Sequence, residues 1–296
     1  MANTYTRNWE SQHPGCMIFL LDQSASMSDQ FGPTQAGRGQ KKCDMVATIL
    51  NSFLNELITI NTIPQADFTS IVRPRADICV LGYQGNSVQP VLTGDLTGQD
   101  FVNLPDLQLN PIDVEYRKQK EIDDSGREFE TQIPFPIWVR PKADMGTPMC
   151  AALQKAEDLA NNWAFEHPDS YPPVIINVTD GMATDGDPAP IAQQLTQIAT
   201  DDGQALLFNV HITTLSDSEI RYPASESVLP NNRYARLLFD ISSPIPETSR
   251  QQLESLLGQA VDMDARGMIF NGSATSIRLM FNFASLRATQ ALDPNR

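Results

Sequence analysis

Three short segments of the chain carry oxygen donors at spacings that could hold a hard cation: Asp22-Gln23-Ser24-Ala25-Ser26, Gly146-Thr147-Pro148-Met149 and Val178-Thr179-Asp180-Gly181. Asp22, Ser24, Ser26, Thr147 and Asp180 together supply two carboxylates and three hydroxyls. A small divalent ion such as Mg²⁺ prefers this donor set, with Mn²⁺ or Ca²⁺ as alternatives, and coordination positions remain for water or an outside ligand. Taken singly, each segment has a plainer role. Asp22 and the serines make a capped turn, Thr147 a helix cap, and Asp180 before Gly181 a turn residue. Asp185 and Asp187 lie nearby and read as loop acids outside the ligand set.

Whether the three segments meet depends on the elements that carry them. Cys16 to Leu21 is a continuous apolar run too short for a helix, so it reads as a strand buried on both faces. Lys41 to Ile60 reads as a helix, with Met45, Ile49, Phe53 and Leu57 in one stripe, widened by Leu50 and Leu54, while Asn51, Asn55 and Glu56 face water. Ala76 to Tyr83 is a second strand, closed by Gly82 to Gly85. From Pro148 to about Phe165 a helix places Ala152, Leu153, Ala156, Leu159, Ala160 and Trp163 on one face, with Thr147 as its cap and Pro148 at its first position. Val174 to Thr179 is a third strand, Ile191 to Ala199 a helix and Leu206 to Thr213 a fourth strand. Helices follow at Tyr234 to Ile241, Arg250 to Leu257 and Ser276 to Ala284.

Strands alternating with helices predict an α/β fold, Rossmann-like and doubly wound, with a mostly parallel central sheet flanked by helices. In such sheets ligands collect at the carboxyl ends of the strands. Asp22, Ser24 and Ser26 follow the first strand, Asp180 ends the third, and Thr147 precedes a helix that packs back on the sheet. All five donors are therefore expected along one edge. The alternation breaks between Leu104 and Met145, where Val114–Ile122 and Arg127–Ile133 flank Asp123-Asp124-Ser125-Gly126 and predict a charged, projecting β-hairpin. The chain reads as one domain over residues 1–296, with its core at about 15–284 and a hairpin insertion at 105–143.

Composition narrows the partners. A formal charge of -15 over 296 residues argues against a nucleic-acid or anionic-membrane surface, which needs clustered Lys and Arg. The amino-terminal residues lack an apolar stretch of signal-peptide length, and no apolar run approaches the ~20 residues that span a bilayer, so a cytoplasmic location is the expectation. Cys16, Cys43, Cys79 and Cys150 are scattered through apolar segments and read as buried, reduced thiols.

Asp22-x-Ser24-x-Ser26, Thr147 in Gly-Thr-Pro-Met and Asp180 in Thr-Asp-Gly resemble, in order and spacing, the metal-ion-dependent adhesion site of the von Willebrand factor A (vWA) domain family. The second Thr-Asp-Gly, Thr184-Asp185-Gly186, is similar to the intracellular bacterial branch with TerY-like members. The resemblance implies that Ser24 and Ser26 coordinate Mg²⁺ directly, that Asp22 and Asp180 anchor it directly or through water, and that Thr147 alternates between the two modes. It also implies that an Asp or Glu of a protein partner fills the remaining position. The partners it implies are MoxR-type AAA+ ATPases, or kinase and phosphatase systems in bacterial stress response. The chain departs from the family pattern at Asp144-Met145-Gly146, where many members carry a Gly-Gly pair, so the loop holding Thr147 is expected to slide less freely.

Two competing classes differ in chemistry. A metal-dependent phosphohydrolase of the haloacid-dehalogenase kind also opens with an Asp after its first strand, but it needs a second Asp two positions on as acid and base, where this chain has Ser24. No phosphate-binding Gly-x-x-x-x-Gly-Lys-Ser/Thr loop is present. His13, His167 and His211 are placed apart from the site, in core or surface roles. The other class is a metal-independent scaffold acting through the hairpin. The sequence thus reads as a non-enzymatic, Mg²⁺-dependent protein-interaction adaptor.

Overall fold

A computed structural model describes residues 4–31, 40–66, 69–122, 127–213 and 218–290. The central sheet is built from β1 (Gly15–Asp22), β2 (Ala76–Gln84), β3 (Ser87–Pro90), β4 (Val102–Asn103), and, after a hairpin of β5 (Asp113–Ile122) with β6 (Glu128–Ile137), from β7 (Val174–Thr179), β8 (Leu206–His211), β9 (Ile220–Arg221) and β10 (Met268–Phe270). Its order is β9-β10-β8-β7-β1-β2-β3, with β4 pairing on β2. β10, β8, β7, β1 and β2 run parallel, while β9, β3 and β4 add antiparallel pairs at the margins. The predicted α/β class, with a mostly parallel sheet between helical layers, is therefore what the chain adopts.

β1 shows why such a strand is apolar throughout. Met17, Phe19 and Leu21 face one layer with Leu50 and Phe53 of α1 (Lys42–Ile60). Cys16, Ile18 and Leu20 face the other with Ala152, Leu153 and Ala156 of α3 (Met149–Glu166), which follows the short helix α2 (Leu104–Leu109). Every residue of β1 is buried. Phe19, Phe53 and Phe281 form an edge-to-face trio with ring centroids 5.1–5.8 Å apart, a geometry that favours aromatic pairs beyond their burial. The layer with α3 is completed by α4 (Ala189–Leu195) and α5 (Arg233–Ile241), and the layer with α1 by α6 (Glu247–Leu257) and α7 (Ala274–Ala284). Among the described residues, α1 is the one helix long and apolar enough to cross a membrane by length and composition, and here its apolar face packs on the sheet.

Several details differ from the sequence expectation. The helix predicted at Ile191 to Ala199 occupies Ala189–Leu195, and the last residues predicted for β8 lie beyond its end at His211. β3, β4, β9 and β10 were not anticipated; each has four residues or fewer, too short to show a period. Within the 105–143 stretch the hairpin proper spans 113–137, with its predicted turn, 123–126, outside the described residues, and α2 precedes it with Leu104 and Leu107 in the core. All four cysteines are buried and free.

Asn51 is the clearest correction. Read as a solvent-facing residue of α1, it is instead 2% exposed. Its side-chain nitrogen donates to the Val139 carbonyl at 2.8 Å, and its oxygen accepts from the Trp138 and Val139 amides at 2.9 and 3.0 Å. The chain leaving the hairpin has no sheet partner there, so one amide side chain takes the place of a strand. Asn51→Ala would leave three buried backbone groups unpaired, and we expect it to lower the unfolding free energy by about 3 kcal/mol or more. Asn55→Ala should stay within about 0.5 kcal/mol, as denaturant titration of both variants would show.

Candidate functional site

The strand register places two of the three segments at one edge. Asp22, the last residue of β1, pairs with Tyr83 of β2, and Leu21 pairs with Val178 of β7, which puts Thr179 and Asp180 at the same height. Asp22 is only 2% exposed. Its Oδ1 accepts the Ser24 amide at 2.8 Å, and its Oδ2 accepts the Thr179 hydroxyl at 2.8 Å. The Tyr234 hydroxyl donates in turn to Thr179 Oγ1 at 3.1 Å. Thr179 has one hydroxyl proton, and the carboxylate is a stronger acceptor for it than the Gly181 carbonyl, 3.1 Å away.

The hydroxyls lie beyond this buried carboxylate. Ser24 Oγ and Ser26 Oγ are 3.1 Å apart, and Ser26 Oγ donates to Asp180 Oδ1 at 2.7 Å. Oxygens in adjacent positions around an octahedral Mg²⁺, with bonds of about 2.0–2.1 Å, are about 2.9 Å apart. The observed separations fall on either side of that value. Ser24 is buried, whereas Ser26 is exposed at the lip. Among the described residues no three His, Cys, Asp or Glu side chains group as a metal site, so a cation here would be held largely by hydroxyls.

Thr147 arrives on a pinned loop. The Asp144 amide donates to the Gln23 carbonyl at 2.7 Å, and the Met145 carbonyl accepts the Gly85 amide. Gly146 has φ +79°, and a Cβ there would lie 2.8 Å from the Gly85 carbonyl oxygen, so glycine is required twice over. The Thr147 amide donates to Thr184 Oγ1 at 3.0 Å. The Thr147 hydroxyl faces Gly181, 4.0 Å from where a Cβ on that glycine would lie. Thr147 does not cap α3, however, nor is Pro148 its first helical residue. Pro148 takes the cap position without a side-chain bond, and Asp185 accepts the Cys150 and Ala151 amides at 3.1 and 2.9 Å. The loop acid is thus the helix's counter-charge. Asp187 does the same for the Ala189 amide of α4 at 3.0 Å.

Some groups at the site escaped the sequence reading. Lys42, in the first turn of α1, places its ammonium 2.7 Å from Asp180 Oδ2 with both side chains out of solvent. Thr179 and Tyr234 orient Asp22. His211 proves to be a direct neighbour, pairing with Thr179 across the sheet. It stacks on Phe270 at 4.4 Å, and burial, helped by the Lys42 charge, pushes its imidazole down to about 4. His167 is remote, stacked on Trp163. The signal for Lys42 and Thr179 was present only as a charged residue opening an apolar helix and a hydroxyl ending a strand.

No family model and no curated protein matches the chain. Among solved structures it is similar to proximal thread matrix protein 1 from the mussel byssus, with a TM-score of 0.48 and 10% identity over 95% of this chain and 49% of that one. It is also similar to the PilB minor pilin from Streptococcus sanguinis, with a TM-score of 0.42 and 8% identity over 93% of this chain and 61% of that one. The chain thus spans less than two thirds of either protein.

Burial raises the Asp22 carboxyl to about 6, with the Asp180 charge adding to the rise and hydrogen bonds from Ser24 and Thr179 opposing it. Because the folded value lies above the unfolded one, the folded chain holds the extra proton between about pH 4 and pH 6. Stability from this group falls as pH rises through that window and is flat above it. Without divalent ions, the unfolding free energy of the wild type relative to Asp22→Asn should therefore decline by roughly 2–3 kcal/mol between about pH 4 and pH 7. A pH-independent difference in denaturant titrations would contradict it.

Proposed function

We propose that the chain is a vWA-type interaction module in which Asp22, Ser24, Ser26, Thr147 and Asp180 hold Mg²⁺ and an Asp or Glu of a protein partner completes its coordination. The observation that carries this reading is the spacing of Ser24 Oγ, Ser26 Oγ and Asp180 Oδ1, at 3.1 and 2.7 Å, above the buried Asp22 carboxylate. The bound ion would supply a positive charge that neutral hydroxyls leave incompletely balanced, and this rewards an incoming carboxylate. Ser24 and Ser26 orient the open side, Asp22 is held in place by Thr179, and Thr147 stands beside Gly181. A binding role is favoured over phosphoryl transfer because Ser24 occupies the position where a second acid would have to act. Our reading places the protein in a bacterial cytoplasm as an adaptor, with a MoxR-type AAA+ ATPase or a kinase and phosphatase system as the partner class.

A second surface has its own support. The hairpin exposes Val114, Tyr116, Phe129 and Ile133, with Tyr116 at 69%, and apolar side chains on a projecting ribbon suit a metal-independent contact. Affinity capture with and without Mg²⁺ separates the two readings. We expect Asp22→Ala or chelator to lower partner recovery at least about tenfold while leaving the circular dichroism spectrum unchanged. Equal recovery under chelation, together with loss on Tyr116→Ala, would assign the contact to the hairpin.

A further inference from the structure

Lys42 reaches the candidate site from α1 and ends 2.7 Å from Asp180 Oδ2, its side chain 5% exposed and that of Asp180 0%. Its other oxygen neighbours are the Ser26 carbonyl at 3.4 Å and the exposed Asp29 carboxylate at 4.0 Å. The opposite oxygen of Asp180 accepts the Ser26 hydroxyl. One buried carboxylate is therefore shared between a fixed ammonium and a hydroxyl of the donor set. Burying an ion pair costs desolvation that an apolar residue at the start of α1 would avoid, so the charge at this position has a consequence for whatever the site binds.

We propose that Lys42 is a built-in counter-cation that weakens closure of the site on a divalent ion alone, so that ion and partner carboxylate bind as a coupled pair. The proposal rests on the metal-site reading above. The Asp29 side chain is 61% exposed and screened by solvent, so the buried charges set the balance. With both acids ionised, Asp22 and Asp180 contribute two negative charges and Lys42 one positive, leaving one negative. A divalent ion takes this cluster to one positive, and a single incoming carboxylate returns it to zero. Without Lys42 the two acids alone would neutralise the ion, and an incoming acid would gain little. Coupling of this kind is reciprocal: whatever factor the carboxylate adds to ion affinity, the ion adds to carboxylate affinity. It also gives Asp180 two assignments, Oδ2 to the ammonium and Oδ1 to the donor set, which keeps the latter oriented.

The test is Mn²⁺ binding to the full chain, followed by electron paramagnetic resonance at about pH 8, first without any carboxylate and then with saturating acetate as the probe. For the wild type we expect weak Mn²⁺ binding that acetate tightens about tenfold. Lys42→Met should bind Mn²⁺ about tenfold more tightly than wild type without acetate, and acetate should no longer help. Lys42→Arg, which keeps the charge, should behave as wild type, and Lys42→Gln repeats the neutral test should methionine not be accommodated. Neutral variants with wild-type affinity and an unchanged acetate effect would overturn the role of Lys42 and leave the metal site standing. Absence of Mn²⁺ binding in every variant, or binding that survives Asp22→Ala, would overturn the metal site and the proposal with it.

Discussion

The constraint on which the carboxyl edge depends is the burial of the Asp22 carboxylate between β2 and β7. Parallel pairing on both sides of β1 leaves its last residue no route to water, so its charge must be met by groups on the neighbouring segments. Thr179 and the Ser24 amide meet it at 2.8 Å each, which turns the chain after β1 back over the strand ends. Ser26 then falls beside Asp180, and Asp180 beside Lys42. Removing solvent from one carboxylate in this way ties two strands, one helix and one loop into a single polar cluster.

That cluster has two unlike sides. Toward the sheet it is closed, with Thr179 braced by Tyr234 and by His211 across the register, and burial keeps that imidazole neutral over the ordinary pH range. Toward solvent it presents hydroxyls, with Ser26 exposed and Met145 and Met182, 74% and 51% exposed, in the flanking loops. Asp180 and Lys42 border this open side, with Asp180 accepting the Ser26 hydroxyl at 2.7 Å. Our proposal for Lys42 gives the open side its charge balance.

Much of this was legible in the chain itself, for identifiable reasons. β1 and β7 are continuous apolar runs of strand length, and α3 buries the face formed by Ala152, Leu153, Ala156, Leu159, Ala160 and Trp163, because periodicity reports a burial that involves every residue of an element. The convergence of Asp22, the serines and Asp180 followed from the rule that parallel strands bring their carboxyl ends to one edge. Partners fixed by a single side chain across the fold leave no such trace. Asn51 serves the Trp138–Val139 backbone 87 and 88 residues away, and Asp185 reaches α3 from 35 residues downstream, overriding the local Thr147-Pro148 signal. Lys42 fell inside the Lys41 to Ile60 helix without being singled out, because nothing near it in sequence names Asp180.

The most direct test of the account is a crystal grown or soaked with Mn²⁺ and measured for anomalous scattering. One strong peak is expected within about 2.2 Å of Ser24 Oγ and Ser26 Oγ, next to Asp180 and with Asp22 still bonded to Thr179. An anomalous map with no peak between Ser24 and Ser26, or with the ion held elsewhere on this acidic surface, would contradict it.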